Sequence, residues 1–298
     1  MLSDEGKVCP PGITYRNRGE MAESPLDLEQ LQQTAKAIRR LIIQMTTAAG
    51  SGHPSSSLSA VEVVTALYFG GFLRHNKAHP RDPHRDRFIL SKGHAVPVLY
   101  AALCQAGYYT VEQVMTLRKL GSPFEGHPNM KRLDTIEAST GSLGQGLSLG
   151  VGHALGTRLD GLDARTYVML GDGEMGEGQV WEAVATAAKY RLSNLTAIID
   201  QNGYQQTGAT REVLDQTPFA PKFEAFGWHA QTIDGNSMAA VVAALQAARQ
   251  VTDRPTVIVA QTKKGFGILP VLEAAGDVNY HGKPLSKELA EKALALLA

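Results

Sequence analysis

The chain has 298 residues, with 29 basic and 29 acidic side chains and no formal net charge. That balance gives no hint of a nucleic-acid or anionic-membrane partner. Two cysteines, Cys9 and Cys104, stand outside any CxxC and exclude a disulfide framework; no apolar run nears the ~18 residues of a membrane helix, so a soluble chain in a reducing cytoplasm is expected.

Residues 1–25 are polar, rich in Pro and Gly and without a hydrophobic leader, and read as a flexible arm. Residues 26–298 read as one domain. Over residues 26–48, Leu28, Leu31, Ala35, Ile38, Ile42 and Met45 recur at helical steps. SGHPSSS breaks that pattern, and residues 58–72 form the next expected helix. A polar loop over 75–87 leads through a short run, 87–90, into SKGHA. Residues 98–106 are expected to be helical and 121–140 irregular; long loops inside a domain are commonly functional. Residues 144–159 are apolar but carry Gly146, Gly150, Gly152 and Gly156. Each glycine weakens a helix by about 1 kcal/mol, and close packing is the expected compensation.

From Thr166 short apolar runs (166–170, 195–200, 256–261) alternate with helical patterns (178–190, 219–226, 238–248), and a helical tail follows at 285–297. No internal repeat interrupts them. The alternation predicts an α/β fold: a mostly parallel sheet with helices on both faces and ligands at the carboxyl ends of its strands.

The run VMLGDGEMGEG joins the first of these strands to its helix. Gly171, Gly173 and Gly176 fit GxGxxG, and Asp200 ends the next strand, as in a dinucleotide fingerprint. Asp172 opposes that reading, because a carboxylate beside a pyrophosphate is repelled by several kcal/mol. A divalent cation reverses the sign. Magnesium prefers oxygen ligands shared between protein, phosphate and water. Asn202, just past the following strand, offers an amide oxygen, and a nearby backbone carbonyl completes the set. The pairing of a strand-end GDG with an Asn about thirty residues on resembles the thiamine-diphosphate motif. Four of the nine histidines stand in Gly- or Pro-bearing loops: His53 in SGHP, His94 in SKGHA, His127 in EGHP and His281 in YHG. No HxxxH or HxH spacing makes them a metal set of their own.

SGHP, ILSKGHAVPVLYAAL, EGHP, TGSLGQGLSLGVGHALG, GDGEMGEGQVWEA, IIDQN, TKKGFG and YHG occur in this order between about Leu26 and His281. Together they resemble the transketolase family. The resemblance implies thiamine diphosphate and Mg2+ as cofactors, with Asp172, Asn202 and the carbonyl of Tyr204 on the metal. It implies a cofactor site from His94, Gly141, Ser142, Leu143, Gly171, Gly173, Glu174 and His281, and proton transfer by His53, His94, His127 and His281. Histidine titrates near neutrality and serves as both base and acid. Two departures, SSS after SGHP and Ser142 where Pro is common, resemble the family's short-chain branch. Glu177 and Glu182 resemble acids at the family's subunit interface, with an ordinary solvated helix start as the alternative.

No second α/β domain and no cofactor-activating glutamate follow YHG. The expectation is therefore the N-terminal subunit of a split transketolase, inactive alone. Its implied partner is a separate C-terminal subunit bearing the pyrimidine-binding domain, in an α2β2 heterotetramer acting on sugar phosphates. The alternatives are the α subunit of a thiamine-dependent 2-oxoacid dehydrogenase, a transketolase for an unusual sugar phosphate or sulfo-sugar, a 1-deoxyxylulose-phosphate synthase, and a cofactor-holding regulatory subunit.

Overall fold

The computed structural model describes residues 25–298. Of the expected arm, residues 1–24 and Cys9 with them lie outside the described residues. Helix α1 (Leu28–Ala49) starts where Asp27 and Gln30 exchange capping hydrogen bonds of 2.9 and 3.0 Å, and it ends at Gly50 in the left-handed region (φ 61°). The single helix expected over 58–72 is instead two, α2 (Pro54–Leu58) and α3 (Val61–Phe69). Pro54, at the first helical position, starts the helix early. Ser59, at the break, turns its hydroxyl inward to Asp200 at 2.7 Å.

The remaining elements follow as β1 (Arg87–Leu90), α4 (Val96–Gln105), α5 (Val111–Val114), α6 (Gln145–Leu159), β2 (Thr166–Gly171) and α7 (Gly178–Lys189). Then come β3 (Leu195–Gln201), α8 (Thr210–Val213), α9 (Phe219–Ala225), β4 (His229–Asp234), α10 (Met238–Gln250), β5 (Thr256–Gln261), α11 (Leu269–Ala274) and α12 (Lys287–Leu296). Residues 121–140 contain no helix or strand, as expected.

The five strands pair in the order β1-β2-β3-β5-β4, and every pairing is parallel. Side chains alternate between two cores, as a strand period of two requires. Tyr167, Met169 and Ile198 face the core shared with α1, α3, α4 and α10; Val168, Leu170 and Ile199 face the one shared with α6, α7 and α9. The edge strand β4 has no counterpart in the sequence reading, because HAQTID is polar and half exposed. Close packing explains only part of the glycine content of α6. A Cβ at Gly146 would run into Ser91 and one at Gly150 into Val168, whereas Gly152 and Gly156 face open space. Among the described residues no helix is long and apolar enough to cross a membrane.

Candidate active site

Turns leaving β1, β2, β3 and β5 at their carboxyl ends meet around a cavity of about 440 Å³. The register explains the meeting: Gly171 pairs with Asp200, and Asp200 with Ala260, so three strands end level with one another.

One wall is the acidic turn. Asp172 is 3% exposed and accepts hydrogen bonds from the amides of Gly173 (2.9 Å) and Gly203 (2.7 Å). Burial and the neighbouring Asp200 push its pKa up to about 6, against the pull of those amides and of Lys92. Asn202 donates from Nδ2 to Asp200 (2.8 Å), while its Oδ1 accepts from the Tyr204 amide (3.1 Å). Tyr204 lines the cavity. Gly173 is required for space, since a Cβ there would lie 2.7 Å from Cβ of Gln205.

Glu174 also lines the cavity, but its carboxylate is engaged by protein donors. The Gly144 amide (2.9 Å) and the Ser91 hydroxyl reach Oε1, and the Gly171 amide (3.1 Å) reaches Oε2. Glu174 thus straps the acidic turn to the end of β1 and the start of α6. Asp200 is fully buried and accepts from Ser59, Lys92, Asn202 and Thr262. Burial would raise its pKa; the charge of Lys92 and these hydrogen bonds outweigh that and hold it below the usual range. Asp200 is closed to a ribose, which removes the second half of a dinucleotide fingerprint.

The other wall is histidine. The rings of His53, His94 and His281 form a triangle, with centroids 5.1 Å (His53–His94), 4.8 Å (His53–His281) and 4.9 Å (His94–His281) apart. Burial is the main cause that lowers all three, aided by neighbouring cations and rings: His53 to about 3, His281 to about 4 and His94 well below its usual value. His127 lines the same cavity, lowered by burial and by Arg118. Neutral rings each keep one donor and one acceptor nitrogen. His53 Nδ1 is buried without a partner among the described residues.

In the TGSLGQG loop, Gly141 (φ +134°) and Leu143 line the cavity, whereas Ser142 is exposed and accepts from Gln145 Nε2 (2.9 Å). A Cβ at Gly141 would lie 2.6 Å from Cδ2 of His127. The residues that the transketolase resemblance implies for metal, cofactor and proton transfer all line this cavity except Ser142, which sits beside it. Glu177 stands at the N-cap position of α7 without a side-chain capping bond, and both it and Glu182 are exposed.

Sequence reasoning passed over three cations. Lys92 is 1% exposed, paired with Asp200 and bound to the Ser56 carbonyl (2.9 Å). Lys264 is buried with its Nζ 3.5 Å from His281 Nδ1; burial and Lys92 lower its pKa to about 8. Arg118, in the left-handed region (φ 59°), donates to the Ser51 hydroxyl (3.0 Å). The signal was present for both lysines, which stand inside SKGHA and TKKGFG.

Among the described residues no group of three or more His, Cys, Asp or Glu side chains is arranged to hold a metal. Asp172 and Asn202 instead offer a partial set of hard oxygen donors, which suits a magnesium ion that takes its other ligands from phosphate and water. The cradle of glycine, anchored carboxylate and amide oxygen fits a diphosphate bound through a cation.

The fold and the cavity define an α/β domain with its main cavity at the carboxyl ends of a parallel sheet. A family model described as the transketolase thiamine diphosphate binding domain matches residues 30–295, and the chain belongs to that family. Human transketolase is 44% identical over 266 residues, covering 89% of this chain and 41% of the human protein. A crystallised mutant transketolase from Pichia stipitis superimposes with a TM-score of 0.84 at 33% identity, over 90% of this chain and 40% of that one. The chain thus spans about two fifths of these relatives. A relative of different length is a protein of Clostridium sp. (strain MSTE9) named 6-deoxy-6-sulfo-D-fructose transketolase subunit SqwG. It is 40% identical over 277 residues, 93% of this chain and 98% of that protein.

Proposed function

We propose that this chain is the diphosphate-binding subunit of a transketolase that moves a two-carbon ketol unit from a ketose phosphate to an aldose phosphate. The observation that carries the reading is one cavity joining an anchored Asp172–Asn202 pair to four histidines of lowered pKa. In this reading thiamine diphosphate supplies the carbanion chemistry when bound. Asp172, Asn202 and the Tyr204 carbonyl hold Mg2+. Gly171, Gly173 and the 141–143 loop accommodate the diphosphate, with His94 and His281 beside it, while Glu174 fixes the turn. His53 and His127 face the sugar. One takes a proton from a hydroxyl of the donor, and a ring nitrogen returns a proton to the carbonyl oxygen of the acceptor. A ring that is neutral near pH 7 keeps a lone pair for that first proton.

The partner in this proposal is a second chain carrying the pyrimidine-binding domain, in an α2β2 assembly located in the cytoplasm. The match to nearly the whole of a protein named as a transketolase subunit supports a two-chain enzyme. The same match favours a second reading, in which the donor is a sulfo-sugar.

The test is co-purification with the product of an adjacent gene, followed by ketol transfer with thiamine diphosphate and Mg2+. Xylulose 5-phosphate and 6-deoxy-6-sulfofructose serve as donors and ribose 5-phosphate as acceptor, with each chain alone and both together. Transfer only in the mixture is the expected result, and the preferred donor selects between the readings. A stable complex that oxidises a 2-oxoacid instead would overturn both.

A further inference from the structure

We infer that Asp200 is a positioning residue that sets which end of the Asn202 amide faces the metal site. The inference rests on the metal reading above and concerns a fully buried residue that does not line the cavity. An asparagine side chain presents oxygen at one end and NH2 at the other, with almost the same shape. A cation needs the oxygen; the flipped amide would present N–H groups to it. Asp200 Oδ2 lies 2.8 Å from Asn202 Nδ2. An ionised carboxylate only accepts hydrogen bonds, so it holds the NH2 end. The oxygen is left toward Tyr204, whose amide takes one lone pair at 3.1 Å. The other lone pair remains for a cation.

The carboxylate is itself fixed. Lys92 neutralises it across a fully buried ion pair, and the hydroxyls of Ser59 and Thr262 fill its remaining acceptor sites. These donors come from the break between α2 and α3, the turn after β1 and the turn after β5. The same residue therefore ties the break between α2 and α3 and the SKGHA and TKKGFG segments to the acidic turn. The Asp200 carbonyl completes the link by accepting from the Asp172 amide at 3.2 Å.

The experiment measures Mn2+ binding by electron paramagnetic resonance, with thiamine diphosphate present, in the assembled protein. Four versions are compared: the unchanged chain, Lys92→Met with Asp200→Ala, Asn202→Ala, and all three substitutions together. Lysine is removed with its partner because an unpaired buried charge is strongly destabilising. Mn2+ affinity is expected to fall about 10- to 100-fold in the double variant. The same two substitutions should change it by no more than about twofold once Asn202 is alanine. Unchanged affinity in the double variant overturns the inference, and so does an equal loss in both backgrounds, which would mark a general structural role. Should the double variant fail to fold, Lys92→Gln with Asp200→Asn replaces it: a loss that disappears with Asn202→Ala supports the inference, and no loss overturns it. If the unchanged chain binds no Mn2+ with thiamine diphosphate, the functional reading falls instead.

Discussion

On one wall of the cavity Asp172, Glu174 and Asn202, with Asp200 sealed behind them, are each held by backbone amides or buried side chains; on the other, His53, His94 and His281 pack chiefly against one another. The first wall has its polar atoms committed and therefore has little freedom to move. The second keeps uncommitted nitrogens, His53 Nδ1 among them, at the cost of leaving a buried polar group unsatisfied. A fixed wall suits holding a ligand, and an under-committed one suits exchanging protons with it. The two walls should then fail in different ways when altered.

The largest effect is expected at Asp172→Ala, which removes the anchored carboxylate. Metal-dependent thiamine diphosphate binding in the assembled enzyme should be lost, as read by calorimetry; unchanged affinity would dissolve the distinction between the walls. Next comes His127→Ala. Turnover should drop about 100-fold or more, while cofactor affinity stays close to that of the unchanged enzyme. Loss of cofactor binding instead would move His127 to the holding wall.

Glu174→Gln should act on stability and not on chemistry. One charge-assisted acceptor is replaced by a neutral amide among buried donors, and about 1–3 kcal/mol is expected to go. Denaturant titration measures the loss, and the folded fraction should keep near-normal turnover. A selective loss of cofactor affinity would instead make Glu174 a direct ligand.

The smallest effect concerns pH. His53 and His281 sit at about 3 and 4 in the folded chain, below their ordinary value of 6.5. On acidification the unfolded chain takes up their protons first. The stability they contribute is complete above about pH 6.5 and is lost progressively as pH falls toward their folded values. Melting temperature should therefore decline between pH 6.5 and 4, and His53→Gln should make that slope shallower. An unaltered slope would mean that the ring is not held neutral by the fold.

Much of this arrangement was legible because both kinds of wall leave marks in sequence. GDG after an apolar strand and Asn after the next give the acidic turn, and histidines in glycine-bearing loops give the other side. Parallel topology followed from the alternation of short apolar runs with helical patterns. What stayed hidden depends on tertiary partners. Asp200 reads as a strand-end acid open to a ribose, and only Ser59, Lys92 and Thr262, distant in sequence, show it to be sealed. Lysines default to solvent in a sequence reading, so Lys92 and Lys264 were passed over inside motifs already singled out. The strand β4 escaped because an edge strand with polar alternation lacks the apolar run that marked the other strands.

The contact between Gly141 and His127 joins the TGSLGQG loop mechanically to the EGHP loop. A ring that rests where a Cβ would otherwise stand makes the backbone of one loop the seat of a side chain from another. A movement of residue 141 toward that imidazole would displace it, because atoms in contact do not interpenetrate. A glycine at 141 sets the clearance between the two loops.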